Sequence, residues 1–148
     1  MTSKINATGG NNQVFNHEGM YHLWGYNIGG DADTGTMTSG RFTIAGDGRI
    51  RFLIAGGNIE TQLKFMLMRV SDGSTLFSAT GHNSETYREV IWNASAYLGQ
   101  EAFFVAVDDA TGGWGHLNLD SVTVPVGQTP LPLMDYRLDE SPDAANVI

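Results

Sequence analysis

Ile50-Arg51-Phe52-Leu53-Ile54-Ala55 and Leu63-Lys64-Phe65-Met66-Leu67-Met68 are the stretches that decide the fold. In the first, Ile50, Phe52 and Ile54 alternate with Arg51, Leu53 and Ala55. In the second, Leu63, Phe65 and Leu67 alternate with Lys64, Met66 and Met68. Alternation with a period of two puts one set of side chains on one face of a strand. Gly46-Asp47-Gly48 precedes the first stretch, and Ser71-Asp72-Gly73 follows the second. Gly in such turns supplies the positive φ that hairpins demand.

Working outward, similar short runs recur at Met20–Trp24, Thr36–Ile44, Thr75–Ala79, Tyr87–Trp92, Ala102–Val107 and His116–Val124. Ala102–Val107 is almost continuously apolar and reads as a central strand buried on both sides. Eight or nine strands at this spacing predict an all-β sandwich or barrel. No segment carries a helical period beyond two turns.

Composition agrees. The 148 residues suit one domain, and 19 Gly with 16% charged residues fit β-structure joined by turns. There is no Cys, so a disulfide framework and thiolate chemistry are excluded. The formal net charge is −8, with only 8 scattered Lys and Arg, which argues against nucleic acid and anionic membrane as partners. No apolar run reaches the length of a membrane span. Polar Met1–Asn12 reads as a disordered segment without a signal peptide. Residues 13–124 read as the module. Pro125, Pro130 and Pro132 then read as a linker, and 134–142 resembles the opening of a laminin-G-like sandwich, so 125–148 reads as linker plus the truncated start of a following domain.

If successive strands are antiparallel, the turns at Asp47, Asp72 and 93–99 lie at one end. The loops 25–35, 56–60, 80–86 and 109–115 lie at the other. Sites concentrate on loops held by a rigid scaffold. The second end gathers Trp24, Asp31, Asp33, Glu60, His82, Glu85, Arg88, Asp108, Asp109, Trp114 and His116. This mixture suits a sugar. Carboxylates accept from hydroxyls, a guanidinium donates in a fixed fork, and an indole packs on the C–H side of a ring.

The block Met68–Gly73, Ala79-Thr80-Gly81-His82-Asn83-Ser84-Glu85-Thr86-Tyr87-Arg88, Trp92–Gly99 and Val107–Asp120 resembles the family 66 carbohydrate-binding modules and related accessory domains of fructan hydrolases such as levanases. Phe15–Tyr26 and Thr34–Ser39 fit as well, so the resemblance spans about residues 13 to 124. Thr111-Gly112-Gly113-Trp114-Gly115-His116 is its most specific piece. The resemblance implies a jelly-roll, galactose-binding-like sandwich that binds terminal fructose of levan-type fructans through an acidic residue, an Arg and an Asp. Glu60, Arg88 and Asp109 match those roles by position, with Glu85 competing for the first; Asp108, Trp114 and His116 complete the candidate ligand set. It also implies an extracellular setting, in a larger bacterial protein with covalently linked neighbouring domains.

Each of these residues has an ordinary reading too. Trp114 either stacks on sugar or plugs the end of the sandwich. Trp92 reads as core. Arg88 either grips ligand or pairs with Glu85 or Glu89. Glu85 is otherwise a solvated loop acid, and His116 reads as a structural bridge across the loop. The four His lack zinc spacing. Asp31–Gly35 lacks the remaining ligands of a calcium loop, and no cofactor is required; a structural calcium with Asp120 as ligand is an expectation. No Gly-x-Ser-x-Gly elbow, phosphate loop or metal cluster marks an enzyme. The expected function is therefore a non-catalytic carbohydrate-binding module. The alternative is a structural or protein-interaction spacer in a multidomain glycoside hydrolase.

Overall fold

The computed structural model describes residues 2–3, 13–27 and 29–126. It is an antiparallel β-sandwich of two sheets. The strand segments are β1 (Thr2–Ser3), β2 (Leu23–Trp24), β3 (Gly35–Thr38), β4 (Phe42–Thr43), β5 (Arg49–Gly56), β6 (Leu63–Arg69), β7 (Thr75–Ala79), β8 (Ser84–Asn93), β9 (Glu101–Asp108) and β10 (Leu117–Thr123). One sheet has the order β1-β2-β10-β5-β8. The other runs β3-β9-β6-β7, with β4 also on β9.

β3 and β4 lie end to end against β9, so the expected strand Thr36–Ile44 is one edge strand with a break. Ser39 bridges the break: its backbone N–H donates to the Phe104 carbonyl, and its hydroxyl accepts from the Phe104 N–H at 2.8 Å. A side chain thereby replaces one rung of the ladder.

The core lies between the sheets and is rich in aromatic rings. Phe52 meets Phe65 and Trp92 edge-on, at 4.9 and 4.6 Å between centroids, and Phe65 stacks on Phe104 at 5.1 Å. Trp92 is 6% exposed, as its place on a strand predicts.

The strand buried on both faces is β5, not β9. Ile50, Phe52 and Ile54 enter the main core, while Leu53 and Ala55 join a second cluster with Phe15 and Tyr87 on the opposite side. Residues 13–24 supply the cover for that cluster; the backbone N–H of Tyr87 donates to the Phe15 carbonyl. β9 has no such cover. Ala102, Phe104 and Ala106 are buried, but Phe103, Val105 and Val107 on the outer face are only partly so.

Leu117 pairs with Gly56, Gly56 with Ser84, and Leu63 with Asp108. The loops 25–34, 57–62, 80–83 and 109–116 therefore share one end, as strand parity predicts. The turns after β4, β6 and β8 share the other. Of the expected disordered segment 1–12, Thr2–Ser3 is described and pairs with β2. The rest of that segment, and the expected linker and following domain beyond 126, lie outside the described residues.

Candidate functional site

The loop end is built on a buried ionic clasp. His116, just before β10, is 2% exposed. Its Nδ1 lies 2.6 Å from Asp31 Oδ1 and its Nε2 lies 3.0 Å from Glu85 Oε1. The Asn118 amide donates to the other Glu85 oxygen at 2.8 Å. Burial works to lower the His116 pKa, but the hydrogen bonds and charges of Glu85 and Asp31 outweigh it and raise the pKa. Imidazolium is the form that donates from both nitrogens. The expected structural role of His116 is what the geometry displays.

Glu85 is 2% exposed and is no solvated loop acid. Its strand position points it to the outer face of the first sheet, beneath the segment 13–24. Asp108, at the end of β9, is also buried. One oxygen accepts from the Leu117 N–H at 3.1 Å, the other has no partner, and burial pushes its pKa up to about 6. Gly25 is obligatory beside it: a Cβ there would come within 2.7 Å of both the Asp108 carboxylate and the Leu117 carbonyl. Glu85, Asp108 and His116 thus lie in the interior, away from any ligand approaching from solvent.

The other candidates are accessible. Glu60 is exposed on the turn entering β6. Asp109 is exposed, its backbone fixed from both sides by Gln62. Arg88 donates from Nη2 to the Thr80 carbonyl at 3.0 Å, which ties β8 to the chain just past β7. It forms no ion pair with Glu85, which faces His116, or with Glu89, which pairs with Arg51. His82 sits near Arg88; burial first, and then the Arg88 charge, lower its pKa. No direct bond joins Arg88, Asp109 and Glu60 to one another.

Trp114 is half-buried and stacks on the His116 ring at 5.7 Å. Its φ is +60°, a left-handed conformation that is costly for a large side chain. The surrounding loops hold it there. A Cβ on Gly57 would collide with the Trp114 carbonyl, so two backbones touch where only Gly fits. The His82 and Asn83 N–H groups both donate to the Gly56 carbonyl, and Asn83 Oδ1 accepts from the Asn58 N–H. Three loops thus converge around the Trp114 backbone. Neither the left-handed backbone at Trp114 nor the Asn58–Asn83 bond leaves a signal in composition or periodicity.

Asp120 stands apart. Its two oxygens accept backbone N–H groups from Glu18 and Ser121, at 2.6 and 2.8 Å. Among the described residues no group of three or more His, Asp or Glu is arranged to hold a metal.

No protein-family model matches the chain. Over 115 residues, 76% of its length, it is 36% identical to a protein of Aspergillus rugulosus named "Putative glycosyl hydrolase ecdE". The chain is related to part of a glycosyl-hydrolase-named protein. It spans only 16% of that relative's length.

Proposed function

We propose that this chain is a non-catalytic carbohydrate-binding module that targets a secreted polysaccharide-degrading enzyme to its substrate, with terminal fructose of levan- or inulin-type fructans as its ligand. The observation that carries the reading is Trp114. Its ring is partly open to solvent at the meeting point of three loops, and its backbone is held in a costly conformation. A rim of exposed polar groups, Arg88, Glu60 and Asp109, surrounds the same end. An indole face with a guanidinium fork and carboxylates is the equipment for a hydroxylated ring.

Burial of Glu85 and Asp108 supports a binder over a hydrolase. A glycosidase needs a pair of carboxyl groups flanking the scissile bond; Glu85 and Asp108 are withdrawn from that role by burial, and the exposed Glu60 and Asp109 are read here as sugar contacts. The relative's name supports a carbohydrate setting, and the small share of its length that is matched suits an accessory domain. With about 1 kcal/mol net per neutral hydrogen bond, a shallow site binds weakly, and several modules on one polymer gain by avidity.

Calorimetry with levan, inulin and free fructose tests this. Binding of at least one is expected, with Arg88→Ala and Trp114→Ala each weakening it about tenfold or more. No binding to any of the three ends the fructan reading. Unchanged binding in both variants moves the site elsewhere and favours the spacer role, for which the Arg88–Thr80 bond would be a mere loop tie. Release of reducing sugar by the pure protein overturns the non-catalytic assignment.

A further inference from the structure

Tyr26, before the turn 29–33, and Asp33, at its end, are two exposed residues that the reading above does not use. Tyr26 is 40% exposed. Its ring is backed by the Trp24 ring at 6.0 Å, by the edge of the buried His116 ring at 5.2 Å, and by the backbone of Gly30, where a Cβ would come within 3.4 Å of it. Asp33 is exposed on the same turn, and one of its oxygens accepts the Gly29 N–H at 2.8 Å. The bond uses only one of the two carboxylate oxygens.

This turn is held with unusual firmness. Asp31, inside it, is anchored to His116, which is anchored to Glu85, which is held by Asn118. Asp31 stays partly exposed, whereas enclosing His116 and Glu85 carries a desolvation cost that their pairing must offset. The pairing is complete at His116, and the result is a ring and a carboxylate in fixed relation. His116 also stacks with Trp114. The Trp114 and Tyr26 rings thus both pack against the same buried imidazole.

We propose that Tyr26 and Asp33 form a second sugar contact beside Trp114, so that the module reads at least two consecutive sugar units rather than a single terminal one. Tyr26 packs against the C–H face of the neighbouring sugar and Asp33 accepts from its hydroxyls. This rests on the carbohydrate reading and adds a subsite to it.

The test uses free fructose, the trisaccharide kestose and the tetrasaccharide nystose on the intact chain. Affinity is expected to rise about tenfold from fructose to nystose, which is about 1.4 kcal/mol. In Tyr26→Ala and in Asp33→Ala, nystose affinity should fall toward the wild-type value for fructose. On isotope-labelled wild-type protein, the amide resonances of Gly29 to Asp33 should shift with nystose and stay in place with fructose; this requires no variant to fold. If sugars of every length bind equally, or the turn amides do not move with nystose, the second contact is overturned while the site at Trp114 stands. If none of the three sugars binds, the fructan reading falls and the second contact with it.

Discussion

His116 is the residue on which the loop end turns. Its folded pKa is raised above the ordinary 6.5 of a free imidazole, because the bonds and charges of Glu85 and Asp31 outweigh burial. A base with a raised folded pKa contributes stability in full below its unfolded pKa and loses it as pH rises through the folded value. Unfolding midpoints in urea should therefore fall as pH rises above about 6.5. His116→Gln should remove that slope. At pH 6 the same variant should cost about 3 kcal/mol, because it leaves the buried Glu85 carboxylate short of its cation. A variant with the wild-type pH slope would show that His116 is not the titrating group. The sequence made both His116 and Glu85 candidate ligand residues, and read them otherwise as a structural bridge and a solvated loop acid. The bridge was legible because His116 lies next to a strand and opposite acids. The burial of Glu85 was not, because the cover over that face comes from residues 13–24, far away in sequence, and no local pattern around Glu85 announces it.

At the scale of elements, the same blind spot explains β9 and β5. The sequence read Ala102–Val107 as buried on two faces and Ile50–Ala55 only as a period-two strand, and such patterning shows which side chains share a face but not what covers it. Residues 13–24 cover β5, and Phe103, Val105 and Val107 of β9 keep an uncovered side. The gathering of four loops at one end was legible, because antiparallel succession fixes it. The contacts between those loops were not, since they depend on backbone approach at single glycines. Gly57→Ala tests the closest of these. A Cβ at residue 57 meets the Trp114 carbonyl, which belongs to backbone and cannot swing away. The variant should lose about 2 kcal/mol of stability and weaken sugar binding with it. Thermal unfolding and calorimetry on the same sample check both, and retention of full binding would show that the 57–114 contact does not shape the site.

At the scale of the whole molecule, stability rests on one ring cluster shared by both sheets. Trp92 stands on β8 of the first sheet and stacks on Phe65 and Phe77 of the second, at 5.7 and 5.5 Å. Trp92→Ala should cost about 3–5 kcal/mol, a large share of the stability of a domain this size. Ile91, its neighbour on the same strand, is exposed and points away from the core; Ile91→Ala should change stability by less than about 0.5 kcal/mol. Chemical denaturation of the pair checks the contrast, and similar losses in both would contradict the assignment of faces along β8.

One detail at the far end has a mechanical meaning. Pro125 and the Val126 carbonyl pack against Gly46, in the turn between β4 and β5, with the Pro125 side chain 3.0 Å from where a Cβ of residue 46 would be. The backbone thus reaches residue 126 at the pole opposite Trp114 and Tyr26. Anything fused after that point would hold the sandwich by its handle, with the aromatic pole directed outward. A tether leaving from residue 126 starts at the pole away from the proposed sugar surface, and its length sets how far the module can swing.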